Sequence, residues 1–178
     1  GLPDHHLTVV GPVEREPAFA TAFSHELYRT PDIQTLGWVD IGRPPFQELT
    51  GRTLDLVYPS CTEGQNGGTV TCLHAGLLPI VTPEVGVDVS ADFGVVLREA
   101  TVEPIRAAVV ALSRRPPQEL ATMSRRAWEY ARATHTCEQF ETTFRETMLE
   151  IVERFRPQLR TRLCAGEVPA PRRLGVAR

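Results

Sequence analysis

Glu63 is the one carboxylate in a run of small and polar residues, Pro59-Ser-Cys-Thr-Glu-Gly-Gln-Asn-Gly-Gly-Thr69. Gly64, Gly67 and Gly68 let a ligand come close to the backbone, and Gln65, Asn66, Thr69 and Thr71 add short polar side chains. An apolar run, Leu54–Tyr58, precedes this stretch, and a second, Leu78–Val81, follows a short helical pattern. In a parallel sheet the loops at the carboxyl ends of the strands carry the ligand site, and the next helix directs its free N–H groups at an anion. A carboxylate for sugar hydroxyls beside backbone amides for phosphate suits a sugar nucleotide. Two plainer readings stand beside this one. Glu63 can be an acid favoured near a helix N-terminus, and Asn66-Gly-Gly-Thr69 can be an ordinary strand-to-helix turn.

The segment resembles the donor-binding signature of family-four (GT-B fold) glycosyltransferases. That signature runs Pro-Ser, two variable residues, Glu-Gly, a Gly-containing turn, a helix, then Gly-x-Pro and a Val/Ile strand. Pro59-Ser60, Glu63-Gly64, Gly76 and Pro79-Ile80-Val81 match it. The resemblance extends to Leu7–Pro12 and Ile33–Val39 as a strand–helix–strand, and to the helices after Thr101, covering roughly residues 7–155. It implies that Glu63 is the catalytic-site carboxylate that orients the donor sugar. It further implies a donor site of Gly37, Trp38, Val39, Gly64, Gln65, Asn66, Gly67, Gly68, Thr69 and Thr71. Gly37-Trp-Val39 would line the base pocket with backbone, although Trp38 can equally cap the sheet. The family's second glutamate, which usually holds the ribose, falls at Thr71. A hydroxyl can bond a ribose oxygen, and it can as readily turn back onto a helix carbonyl.

The implied fold is α/β: a Rossmann-like open parallel sheet flanked by helices, lacking its N-terminal portion, with a helical C-terminal part. The implied parent is a retaining glycosyltransferase whose separate N-terminal domain supplies the acceptor site, with this chain the donor-binding half and inactive alone. Its cationic diphosphate ligands would precede residue 1. No metal or other cofactor is implied, since the nucleotide sugar is a substrate. Another GT-B sugar-nucleotide enzyme, such as an epimerase, and a non-catalytic α/β nucleotide-binding or interaction module are the alternatives. In the doubly wound order 3-2-1-4-5-6, the strands present would be the second to the sixth. The sheet is then expected to show a gap, or forced direct pairing, between Leu7–Val10 and Leu54–Tyr58.

Composition narrows the classes. The 178 residues fit one domain or one domain with a tail, and 42% hydrophobic residues suffice for a core. A net charge of −3 gives no general attraction to nucleic acid or anionic membrane. All 19 basic residues are Arg, which excludes a P-loop lysine and Schiff-base chemistry. Cys61, Cys72, Cys137 and Cys164 form no Cys-x-x-Cys pair and read as cytosolic free thiols. Cys72-x-His74 is the nearest approach to a metal motif, and the histidines lack ligand spacing. No apolar run approaches the roughly 20 residues of a membrane span. A cytoplasmic location is expected, with peripheral attachment to the inner membrane a property of the full-length protein.

The elements alternate as a parallel sheet requires. Strands are expected at Leu7–Val10, Ile33–Trp38, Leu54–Tyr58, Leu78–Val81 and Val95–Leu97. A helix starting near Pro17 would place Phe19, Phe23 and Leu27 on one face, and Pro44-Pro45 opens a shorter helix ended by Gly51. Beyond Thr101, apolar stripes at Ile105, Ala108, Val109, Leu112 and at Leu120, Met123, Ala127, Tyr130 read as two helices. Thr136-x-x-Gln139 resembles a capping box, followed by Phe140, Phe144, Met148, Ile151 and Phe155 on one side. Residues 1–155 read as a partial sugar-nucleotide-binding domain, and 156–178 as a disordered Arg/Pro-rich tail.

Overall fold

A computed structural model describes residues 5–156. The expected tail and Cys164 therefore lie outside the described residues, Arg156 excepted. The chain forms two compact units, Gly1–Trp128 and Glu129–Arg178. In the first unit the order is β1 (Leu7–Val10), α1 (Pro17–Ala22), α2 (Ser24–Arg29), β2 (Ile33–Gly37), α3 (Pro44–Thr50), β3 (Asp55–Tyr58), α4 (Gly67–His74), β4 (Leu78–Val81), β5 (Val95–Val96), α5 (Val102–Ser113) and most of α6 (Pro117–Thr134). The second unit holds the end of α6 and α7 (Cys137–Phe155).

Every strand pairing is parallel, which is the expected class. The sheet is in two pieces, β1-β2 and β3-β4-β5, so the break falls between β1 and β3 as the topology requires. The pieces differ in burial. All four residues of β4 are buried, as for a strand covered on both faces. Leu7 and Val10 of β1 remain about half exposed. His5, just before β1, lies near enough to the Asp55 carboxylate of β3 to act on its ionisation.

The core gathers where β4 meets the later helices. Leu78, Ile80, Leu97, Ala108, Leu112 and Met123 form it, with Val57, Val95, Ile105, Val109 and Leu120 packed against it. Burying each large aliphatic side chain contributes roughly 1.5–3 kcal/mol, so β4 with α5 and α6 is the stable platform beneath the loops. The stripe expected on α5, and Leu120 and Met123 of the one expected on α6, supply these contacts.

Two expectations need correction. The helix from Pro17 is not continuous: Phe23 leaves the helical region at φ −109°, ψ 25° and divides α1 from α2. Leu27 is buried, but Phe19 and Phe23 pack on each other at 4.8 Å and stay half exposed. No Gly or Pro marks this break. In α7, Thr136 caps the helix by accepting from the Gln139 N–H at 3.2 Å. The Gln139 side chain does not close the box, since it donates to Thr143 at 3.2 Å. The apolar face Phe140, Phe144, Met148, Ile151, Phe155 is exposed along its length.

Candidate functional site

β3 and β4 run side by side, with Tyr58 opposite Val81, so both chains leave the sheet at the same end. The loop from Pro59 to Asn66 is held there by three unrelated contacts. Thr82, almost fully buried after β4, donates its hydroxyl to the Ser60 carbonyl. The Asn66 N–H donates to the Val85 carbonyl at 3.0 Å. Gly86, in the left-handed region at φ +67°, lies so close to Gly64 that a Cβ there would sit 2.1 Å from the Gly64 oxygen. The loop carrying Glu63 is thus clamped to the turn after β4, and only glycine fits at the contact.

Glu63 itself is exposed. One carboxylate oxygen, Oε1, accepts a hydrogen bond from the Tyr58 hydroxyl at 2.8 Å. The Tyr58 phenol is pushed above its ordinary value of 10.0, first because Glu63 accepts that proton, then by burial and the carboxylate's charge, with Asn66 acting in the opposite sense.

Asn66 is the N-cap of α4. Its side-chain oxygen accepts from the Thr69 N–H at 2.6 Å and the Thr69 hydroxyl at 2.9 Å, which satisfies a donor the helix leaves orphaned. Thr69 is fully buried, so both side chains hold the turn together. Gly67 and Gly68 open the helix, while Gly64 and Gly67 are backed by no atom within 4 Å of a Cβ placed there. Gln65 is exposed. The contiguous stretch 63–68 is therefore a rigid rim of backbone and one carboxylate ahead of a helix N-terminus.

The other candidate residues lie within α4 and at the end of β2. The Thr71 hydroxyl donates to the Gly67 carbonyl at 2.8 Å, the back-bonded geometry of a helical Thr. Thr71 also lines an open cleft of about 440 Å³ with Ile41, Phe46, Gln47, Thr50 and His74. Gly37 is left-handed at φ +66°, and its carbonyl accepts from Gly11 N–H at 2.8 Å, tying the ends of β1 and β2. Trp38 is 77% exposed, so it caps no sheet. Cys72, inside α4, is held as a thiol by burial, with its value pushed up to about 11; Cys61, in the loop, is exposed.

Sequence reasoning missed Tyr58, Thr82 and Gly86. A hydroxyl-bearing aromatic directly before Pro59 was a visible signal for the first. The other two act through contacts with residues far off in the chain. Among the described residues no helix is long and apolar enough to cross a membrane.

The sequence matches no family model, and no curated protein is significantly similar. Solved structures are similar in fold. A glycosyltransferase from Rickettsia africae aligns at a TM-score of 0.68 and 16% identity, over 84% of this chain and 41% of that one. Anabaena HepE, solved in complex with UDP and glucose, aligns at 0.60 and 15%, over 80% and 40%. WaaG, a glycosyltransferase involved in lipopolysaccharide biosynthesis, aligns at 0.53 and 20%, over 71% and 33%. The chain thus spans about two fifths of these proteins or less. Its open parallel sheet with flanking helices is the α/β fold of one part of the GT-B glycosyltransferases.

Proposed function

We propose that the chain is the donor-binding half of a retaining glycosyltransferase that takes its sugar from a nucleotide-activated donor. The observation that carries this reading is Glu63: an exposed carboxylate on a clamped, glycine-rich loop at the carboxyl ends of two adjacent parallel strands, just before a helix N-terminus. Such a carboxylate accepts from sugar hydroxyls and fixes the anomeric carbon, which is a positioning contribution to catalysis. The Gly67 and Gly68 turn offers the diphosphate a close backbone approach, and Gly37, Trp38 and Val39 would border the base. The fold shared with HepE, which binds UDP and glucose, supports the same substrate class. In this reading the acceptor site belongs to a further domain, the cationic diphosphate ligands to a further strand-loop, and no metal is needed.

One observation favours a second reading, a non-catalytic nucleotide-binding module. Thr71 stands where the resemblance puts the ribose-holding glutamate, and its hydroxyl is already engaged with the Gly67 carbonyl. Calorimetric titration of this chain with UDP, UDP-glucose and glucose separates them. The transferase reading expects UDP-glucose to bind more tightly than UDP, with Glu63→Ala removing the difference. Equal affinities in wild type and variant would leave the module.

A further inference from the structure

We propose that Tyr58 is a positioning residue that holds the Glu63 carboxylate in the orientation from which it meets the donor sugar. This inference rests on the reading of Glu63 given above. A glutamate on an exposed loop has three free side-chain torsions, and only a small part of that freedom would aim its carboxylate usefully. Tyr58 restricts it from a rigid base. Its backbone ends β3 in register with the fully buried Val81 of β4, and its ring has two torsions. The phenol donates to Oε1 at 2.8 Å, a hydrogen bond to a charged acceptor.

With one lone pair of Oε1 engaged by Tyr58, the remaining acceptor sites of the carboxylate, both of Oε2 among them, are left for a sugar hydroxyl. The surrounding contacts serve the same end, because Thr82 and the Val85 carbonyl fix both ends of the loop between Tyr58 and Asn66. The phenol is held above its ordinary 10.0, first by this hydrogen bond, which accords with a stable pairing.

The test uses Tyr58→Phe, which keeps the ring and removes only the hydroxyl, on the chain as it stands. UDP-glucose and UDP are titrated against wild type, Tyr58→Phe, Glu63→Ala and the double variant. Tyr58→Phe is expected to weaken UDP-glucose about 12-fold, the lower end of what one hydrogen bond to a charged group spans, and UDP less than about twofold. In the Glu63→Ala background the same change should have no effect. Without any ligand, ultraviolet titration should show Tyr58 ionising at lower pH once Glu63 is replaced by Ala.

An unchanged Tyr58 titration in Glu63→Ala overturns the inference outright. So does equal weakening of UDP and UDP-glucose by Tyr58→Phe, which marks a purely structural role. If Glu63→Ala weakens UDP-glucose while Tyr58→Phe does not, the inference fails and the reading of Glu63 stands. If wild type binds neither probe, the reading fails and the inference falls with it.

Discussion

Gly86→Ala is the substitution that most sharply probes the clamp beneath Glu63. The new Cβ would sit 2.1 Å from the Gly64 oxygen and 2.9 Å from its carbonyl carbon. Even a close carbon–oxygen contact is about 3.3 Å, so the loop must retreat by roughly 1 Å. Both partners are backbone, and no flexible side chain can yield instead. An alanine at φ +67° adds about 1–2 kcal/mol of left-handed strain, and losing the neighbouring Asn66–Val85 hydrogen bond adds about 0.5–1.5 kcal/mol. The sum is about 1.5–3.5 kcal/mol, which for a chain of this size lowers Tm by about 3–14 °C. Gly67→Ala is the matched control. Its Cβ meets nothing within 4 Å, and an alanine at a compatible site changes stability by about 0.4–1 kcal/mol in the favourable direction. Differential scanning calorimetry reads both variants, and titration with UDP-glucose well below Tm reads the site. Binding should fall about tenfold in Gly86→Ala, the order expected when a displaced Glu63 loses one hydrogen bond to the sugar. A Gly86→Ala chain that melts within 2 °C of wild type and binds as well would refute the clamp.

Other outcomes follow from the same geometry. Asn66→Ala removes the cap of α4 and leaves the buried Thr69 hydroxyl without its acceptor, so thermal denaturation should show a loss of about 1–2 kcal/mol; an unchanged Tm would contradict it. Asp55 is held above its ordinary 3.8 by burial, partly opposed by His5. Its contribution is therefore full below about pH 3.8 and lost as pH rises through the folded value, so Asp55→Asn should raise Tm at pH 7 with a gain that fades in acid. A lower Tm for Asp55→Asn at pH 7 counts against the stated sign. Cys72, with its thiol pushed up to about 11, should resist alkylation at pH 8 until the chain unfolds, while exposed Cys61 and Cys137 react at once. Mass spectrometry of the labelled chain decides that point.

Local pattern carried much of the fold, and long-range contact carried what was missed. Continuous apolar runs such as Leu78–Val81 marked strands because burial on both faces demands apolar residues at every position. Pro44 and Gly51 marked the bounds of α3 because each acts on its own backbone. The break at Phe23 carries no such punctuation. The stripe of α7 shows helical spacing whether or not anything covers it, so its exposure was not legible. In the site, Glu63 stood out as a lone acid among glycines, whereas the need for glycine at 86 depends on Gly64, which is 22 positions away. The Thr71 hydroxyl took one of the two geometries the sequence allowed, the bond to the Gly67 carbonyl.

The central claim, that the Glu63 loop receives a nucleotide sugar, is tested most directly by nuclear magnetic resonance of the ¹⁵N-labelled chain titrated with UDP-glucose. The account predicts saturable shifts of the amides of residues 62–68, centred on Glu63, Gly64, Gly67 and Gly68. It predicts that UDP alone shifts Gly67 and Gly68 but moves Glu63 and Gly64 less. Shifts confined to other parts of the chain, or none at millimolar donor, would contradict it.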